Sequence, residues 1–197
     1  MKIICITGGI GSGKSTVSKI IQTLGYPVYY SDERAKQMYF LPEIKEQIIQ
    51  LLGKDAYLND KQINKNYIAS KIFSDKSLLE KINHIIHSAV KKDFQTFLNE
   101  HKEKNIVFKE SALIFEAKLQ NNCDKIILVT APKDIRIKRV MKRDGLSEEE
   151  ILQRMDKQWN DDEKIKHCDY LIVNLEEEPL LPKVLEILNK IKNDTND

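Results

Sequence analysis

The chain has 197 residues, a length typical of one mid-sized domain, and its hydrophobic fraction of 41% is ample for a packed core. Its 32 basic and 30 acidic residues leave a net charge of +2, which excludes a general electrostatic attraction to nucleic acid or membranes. No apolar stretch approaches the ~18 residues that a membrane-spanning helix needs, so we expect a soluble protein.

The three cysteines, Cys5, Cys123 and Cys168, are far apart and odd in number. They form no CxxC motif and indicate no disulfide framework, so a reducing compartment is the simplest inference. The opening apolar run over residues 3–6 ends at once in glycines and lacks the length of a signal peptide. We therefore expect a cytoplasmic protein.

Short apolar runs and amphipathic stretches alternate along much of the chain. Residues 3–6 predict a buried strand, a glycine-rich turn follows, and residues 14–24 have the periodicity of a helix that ends at Gly25. Further strands are predicted at residues 27–30, 106–108, 125–130 and 170–173, and a closing helix at residues 180–191. Strands that alternate with helices indicate an α/β fold with a parallel sheet.

Two helical excursions interrupt this alternation. The block from residue 33 to about residue 104 has apolar residues at helical spacing and no convincing strand, so we predict a helical insertion. Its two apolar stripes are Ile44, Ile48, Ile49 and Leu52, then Ile82, Ile85, Ile86, Val90, Phe94 and Phe97. Residues 134–159 are helical and strongly charged, with a break near Gly145, where Ser147 and Glu150 predict a capping box.

The glycine-rich turn carries the clearest chemical signal in the sequence. Residues 8–15 read G-G-I-G-S-G-K-S and match the phosphate-binding motif G-x-x-x-x-G-K-[ST] between a strand and a helix. Glycines allow successive backbone N–H groups to face an anion, and the helix N-terminus adds its dipole. We expect Lys14 to contact the β- and γ-phosphates, Ser15 to bind Mg²⁺ and Thr16 to contact the α-phosphate. The loop residues predicted to line the cradle are Gly9, Gly11, Ser12 and Gly13.

Acidic side chains follow two of the predicted strands. Asp32 follows the second strand, where a carboxylate could accept a proton from an attacking hydroxyl or bind Mg²⁺. It is equally suited to cap the helix that begins near residue 33, and both interpretations stay open here. Glu110 ends the third strand and Glu116 follows it; an acid in this region is either a neighbour of Mg²⁺ or a surface carboxylate.

Basic side chains recur within the charged excursion. Arg136, Arg139 and Arg143 have helical spacing, and such a helix could fold over a nucleotide, neutralise phosphate charge and exclude water. The alternative is a solvated, charged face. His84 and His87 stand three residues apart, but two ligands do not make a zinc site, so we expect core or substrate contacts for them.

Together these segments resemble the dephospho-CoA kinase family over nearly the whole chain. The resemblance begins with I-T-G-G-I-G-S-G-K-S-T at residues 6–16. The later matching positions are Asp32, Ile86, His87, residues 113–116, residues 139–147, Arg154, Gln158 and residues 169–174. Their order and spacing, taken together, are specific to that family.

The resemblance implies that ATP, with Mg²⁺, phosphorylates the ribose 3′-hydroxyl of dephospho-CoA, giving CoA and ADP. It implies an α/β P-loop core with a five-stranded parallel sheet flanked by helices, over residues 1–32, 105–133 and 160–197. Residues 33–104 would be a helical CoA-binding insertion, and residues 134–159 a helical lid. The implied partner is this small molecule, without nucleic acid or membrane, and the protein would be a monomer or a weak homo-oligomer.

The resemblance also assigns roles to single residues. Asp32 becomes the catalytic base and acts with Lys14 and Arg139. Arg143 would contact ATP, and Asn174 would lie near its adenine. The residues expected to bind the acceptor are Asp32, Lys65, His87, Glu110 and Glu116.

Three positions depart from the family pattern. Ser88 and Ala112 stand where the family usually has proline, and Lys65 stands where an arginine is common. Lysine does not make the planar, two-pronged contact that arginine makes, so this departure concerns the acceptor side. The glycine-rich turn, Asp32 and the lid arginines are unaffected.

Other functions stay open at this point. A related kinase could act on a nucleoside or a nucleotide, and a sensing module could bind nucleotide without turnover. A GTP-binding switch would require the guanine-binding signature N-K-x-D after the fourth strand. The chain instead has T-A-P-K-D at residues 130–134.

Overall fold

The computed structural model describes residues 1–194, so residues 195–197, which the sequence analysis assigned to the core, lie outside the described residues. The chain divides into two compact units. One consists of Met1–Tyr30 together with His101–Asp197, and the other of Ser31–Glu100. Each unit has its own hydrophobic core.

The first unit contains the main sheet. The strands of the described chain are β1 (Lys2–Thr7), β2 (Val28–Tyr30), β3 (Tyr57–Asn59), β4 (Gln62–Ile63), β5 (Ile106–Glu110), β6 (Lys125–Thr130) and β7 (Tyr170–Val173). Five of them form one sheet in the order β2-β5-β1-β6-β7, and each neighbouring pair is parallel. The predicted five-stranded parallel sheet is confirmed.

Strand β1 lies in the middle of this sheet, and its residues from Ile4 to Thr7 are fully buried. Ile6 is in register with Glu110 of β5, and Glu110 is in register with Tyr30 of β2. The carboxyl ends of these three strands therefore share one edge of the sheet. Because parallel strands covered on both faces are apolar throughout, short uninterrupted apolar runs were enough to predict them.

Helices make up most of the rest of the described chain. They are α1 (Lys14–Thr23), α2 (Ser31–Met38), α3 (Pro42–Leu52), α4 (Lys65–Ser74), α5 (Lys76–Glu100), α6 (Lys133–Asp144), α7 (Glu148–Met155), α8 (Asp161–Ile165) and α9 (Leu180–Asn193). None of these described helices combines the length and the apolar character that crossing a membrane requires. The predicted capping box of α7 is present: the Glu150 N–H donates to Ser147 Oγ at 3.3 Å, and the Ser147 N–H donates to Glu150 Oε2 at 2.9 Å.

The unit Ser31–Glu100 consists mainly of helices α2 to α5. Its core contains Ile48 of α3 and Ile86 of α5, both members of the predicted apolar stripes. The expectation that this block has no strand is wrong, because β3 and β4 form an antiparallel hairpin. The two strands have only three and two residues, which is too short for an alternating pattern to be recognised in the sequence.

A disulfide joins Cys5 of β1 to Cys123, with the two Cα atoms 5.7 Å apart and a sequence separation of 118. Cys168 packs against the same small core cluster and is not disulfide-bonded. The expectation of no disulfide is therefore wrong, and the inference of a reducing compartment loses its basis. The pairing follows from the sheet order: Cys5 lies opposite Ile126 of β6, and Cys123 precedes Ile126 by three residues.

Reduction of this disulfide is expected to lower the free energy of unfolding, because the cross-link restricts the unfolded chain over a long loop. For a loop of this size the expected loss is at most about 5 kcal/mol. Urea unfolding of the oxidised protein, with and without a phosphine reductant, measures the difference. The stability of a Cys123→Ser variant should not respond to the reductant, and three titratable thiols in the untreated, denatured protein would contradict the cross-link.

Candidate nucleotide-binding site

The glycine-rich turn connects the buried end of β1 to the start of α1. Gly13 precedes the helix with a φ of +94°, a left-handed conformation that glycine adopts without strain. A Cβ atom at Gly13 would lie 1.9 Å from Asn174 Nδ2, and one at Gly9 would lie 2.1 Å from Arg136 Nη2. The loop is thus packed closely by neighbouring side chains, and a Cβ atom at either position would displace Asn174 or Arg136.

Three polar side chains hold the backbone of this loop. Arg136 Nε donates to the Ile10 carbonyl at 2.9 Å, and Gln158 Oε1 accepts from the Ile10 N–H at 2.9 Å. Asn174 Nδ2 donates to the Ser12 carbonyl at 2.8 Å. Asn174 is buried at the end of β7, and Gln158 lies between α7 and α8, so distant parts of the chain converge on one turn.

Lys14 forms an ion pair with Glu110, and both side chains are largely buried. Glu110 ends β5 at the sheet edge where the glycine loop begins, and its side chain is only 3% exposed. A buried carboxylate needs a charged partner, and the ammonium of Lys14 supplies it. Because Lys14 is held at the mouth of the loop, a bound polyphosphate would compete with Glu110 for the same ammonium group.

Arg139 presents a further donor to the loop. Its Nη2 donates to the Asn174 carbonyl at 3.3 Å, and its Nε lies 3.8 Å from Glu176 Oε1. Its Nη1 is buried without a hydrogen-bond partner among the described residues, and lies 3.9 Å from the position of a Cβ atom at Gly13. A buried, unpaired guanidinium nitrogen is costly, so this donor indicates a place that an anion would fill.

Ser15 and Thr16 occupy the first turn of α1 and are exposed. Their hydroxyl groups therefore lie at the N-terminus of a ten-residue helix, where the backbone favours negative charge. Mg²⁺ prefers a few protein oxygens together with phosphate and water oxygens. The Ser15 hydroxyl lies next to a cradle that suits phosphate and therefore fits this requirement. Ser15 is the residue that would hold the ion.

Two residues of the same unit that were predicted to belong to the site, Arg143 and Glu116, contact residues outside the glycine loop. Arg143 is exposed near the end of α6, and its Nε and Nη2 donate to the Asp144 carboxylate at 2.7 and 2.8 Å. These hydrogen bonds raise the pKa of Arg143 and lower the pKa of Asp144. Glu116 Oε1 accepts from the Trp159 N–H at 2.8 Å and lies 3.0 Å from Nζ of the fully buried Lys164, which indicates a structural role.

Three predicted residues belong to the unit Ser31–Glu100. Asp32 lies in the first turn of α2, two residues after the end of β2, and is half-buried. Lys65 is the exposed first residue of α4 and lines a cavity of about 460 Å³ together with Lys36 and Lys61. His87 is exposed on α5.

The roles of Arg136 and Gln158 toward the loop were not predicted. From the sequence, Arg136 is predicted only as part of a basic helix, and Gln158 only matches a position of the family pattern. Their contacts with Ile10 span 126 and 148 residues of sequence. The spacing of Arg136 and Arg139 on one helical face was the available signal, and it did not identify the partner.

Comparisons with known proteins identify the family. The sequence model of the dephospho-CoA kinase family matches residues 2–178. A dephospho-CoA kinase of Porphyromonas gingivalis is 41% identical over 193 residues, covering 98% of this chain and 95% of the relative. A dephospho-CoA kinase of Bacteroides fragilis is 38% identical over 187 residues, covering 94% of this chain and 90% of the relative.

Solved structures agree with the fold. A crystal structure of a Thermus thermophilus protein has a TM-score of 0.84 at 30% identity, covering 98% of this chain and 97% of that one. The dephospho-CoA kinase of Campylobacter jejuni has a TM-score of 0.71 at 24% identity, covering 98% of this chain and 99% of that one. The family match over most of the sequence and the two relatives show that the chain belongs to the dephospho-CoA kinase family.

Proposed function

We propose that this protein transfers the γ-phosphoryl group of ATP to the ribose 3′-hydroxyl of dephospho-CoA, giving CoA and ADP. The observation that carries the proposal is the glycine loop with Lys14 and an unpartnered nitrogen of Arg139 beside it. Such a set of donors suits a polyphosphate, and membership of the dephospho-CoA kinase family supports the acceptor.

On the nucleotide side, catalysis consists of positioning and charge neutralisation. Gly9, Gly11, Ser12 and Gly13 form the cradle for the phosphates, and Thr16 contacts the α-phosphate. Lys14 leaves Glu110 for the β- and γ-phosphates, while Arg139 Nη1 donates to the charge that develops during transfer. Ser15 would hold Mg²⁺, which would supply further neutralisation of the phosphates.

On the acceptor side, Asp32 accepts the proton of the ribose 3′-hydroxyl. That oxygen forms a bond to the γ-phosphorus, the bond from this phosphorus to the β-phosphate oxygen breaks, and ADP leaves. Residues 33–104 form the CoA-binding insertion in this proposal, with Lys65 and His87 as acceptor contacts. The three lysines at the cavity beside α4 suit the negatively charged phosphates of dephospho-CoA.

The proposal also includes residues that move or that support the site. Residues 134–159 act as a lid, in which Arg136 and Gln158 keep their contacts with Ile10. Arg143 breaks its hydrogen bonds with Asp144 and contacts the nucleotide when the lid closes. Asn174 lies near the adenine, and Glu110 and Glu116 shape the acceptor site as charged partners of Lys14 and Lys164. A cytoplasmic location, which suits a reaction that consumes ATP, is part of the proposal. A monomer or weak homo-oligomer completes it.

An acceptor panel tests the reaction. ADP release with ATP and Mg²⁺ is expected to depend on dephospho-CoA, because the site stabilises transfer to a bound acceptor and excludes water. Adenosine, AMP and no acceptor are the controls. Turnover with another acceptor would replace the substrate and keep the mechanism. Tight nucleotide binding without any turnover would favour a sensing module, and a preference for GTP over ATP would favour a switch.

The substitution Asp32→Asn tests the catalytic base. It is expected to lower kcat by about 10²- to 10⁴-fold, because asparagine cannot accept the proton, while the KM for ATP changes little. Steady-state kinetics with both substrates measures the split. Asp60→Asn, which removes a carboxylate that is 95% exposed in the same unit, is the matched control. A kcat near that of the unmodified protein in the Asp32→Asn variant would exclude Asp32 as the base.

A further inference from the structure

Arg136 is held in one position by contacts on several sides. Its Nη1 donates to Asp161 Oδ2 at 3.0 Å, and its Nε donates to the Ile10 carbonyl at 2.9 Å. The Asp161 carboxylate also accepts a hydrogen bond from Thr130 Oγ1, at the end of β6. The Arg136 side chain is only 11% exposed and lies directly over Gly9, which has no Cβ to displace it. The sheet thus fixes Asp161, and Asp161 fixes the guanidinium group.

The contact with the Ile10 carbonyl determines how the Ile10–Gly11 peptide group faces. In a trans peptide the carbonyl points in the opposite direction to the N–H of the following residue, and the described chain has no cis peptide. Because the Ile10 carbonyl faces Arg136, the Gly11 N–H points to the other side of the loop. By the same geometry, the contact of Asn174 with the Ser12 carbonyl directs the Gly13 N–H away from Asn174.

The neighbouring groups prevent the loop from adopting another arrangement. The Ile10 N–H donates to Gln158, and the Gly9 carbonyl accepts from the Ser12 N–H at 3.1 Å. A loop with several glycines would otherwise sample many backbone conformations, and binding an anion would require ordering it first. Donors that are already oriented bind and stabilise phosphate without that cost.

We infer, on the basis of the proposed nucleotide binding, that Arg136 is a positioning residue of the phosphate cradle. It holds the Ile10–Gly11 peptide from outside the loop, so that the Gly11 N–H faces the phosphates. Asp161 and Thr130 keep it there. It does so without contacting the nucleotide, and this distinguishes it from Lys14 and Arg139, which the proposed function assigns to the phosphates themselves.

Calorimetric titration of Arg136→Met with ADP and with ATP tests this role. Both ligands are expected to bind about 10-fold more weakly, by the same factor, because both use the cradle. At saturating ATP, kcat should stay within about threefold of that of the unmodified protein, because the γ-phosphate contacts remain. Lys138→Met, which removes an exposed cation from the same helix, is the matched control and should change neither affinity.

A second variant tests whether the weaker binding of Arg136→Met comes from the lost contact or only from a loss of folding. Asp161→Asn leaves the charge of Arg136 in place but weakens its anchor, so it should also lower ADP affinity. The effects of Arg136→Met and Asp161→Asn should not add in the double variant, because both act through one contact. In the protein without nucleotide, the amide resonance of Gly11 should shift or broaden in both variants and stay unchanged in Lys138→Met.

The possible outcomes separate the inference from the proposed function. Loss of ATP affinity and kcat with unchanged ADP affinity would mean a direct γ-phosphate contact and would overturn the positioning role. Unchanged affinities, or additive effects of the two substitutions, would also overturn it. Failure of the unmodified protein to bind either nucleotide would instead refute the proposed function, whatever the variants do.

Discussion

The close packing around the turn between β1 and α1 is the constraint on which the functional part of the structure depends. β1 is the central strand of the sheet, and its chain must leave the sheet edge and enter a helix within residues 8–13. Side chains from α6 and from the end of β7 lie so near to this turn that a Cβ at Gly9 or Gly13 would displace them. The glycines thus serve packing as well as backbone conformation.

Charge in this region is balanced within the protein. Lys14 is paired with Glu110, and Arg136 with Asp161, so both cations are largely buried with partners that compensate their desolvation. Arg139 is only partly paired, with one nitrogen buried and unpartnered. The two cations of the site therefore differ in their pairing. Lys14 must exchange Glu110 for a phosphate, whereas Nη1 of Arg139 can donate to a phosphate without losing a partner. The proposed phosphoryl transfer requires both.

Much of the core could be predicted from the sequence. The limits of β6 and β7 were predicted correctly, because buried parallel strands are short apolar runs with polar ends. The glycine motif identified the nucleotide loop because its residue types follow from the chemistry of binding phosphate. The family resemblance predicted five strands for the parallel sheet, and the structure agrees with it.

Other features depend on contacts that the sequence does not report. The disulfide between Cys5 and Cys123 and the contact of Arg136 with Ile10 each join residues more than a hundred positions apart. They form because β1 and β6 are neighbours in the sheet, and no local pattern encodes that order. The β3–β4 hairpin is a local feature, and it was missed because its strands are too short to show an alternating pattern of apolar and polar residues.

Isotope tracing tests most directly the central claim that this protein moves a phosphoryl group from ATP to a bound acceptor. The protein would be incubated with dephospho-CoA, Mg²⁺ and ATP carrying ¹⁸O on its γ-phosphate, and the products would be separated and weighed by mass spectrometry. The account predicts that the labelled phosphate appears in CoA, on the 3′-oxygen of the ribose. Label that appears in inorganic phosphate, with dephospho-CoA unchanged, would contradict it.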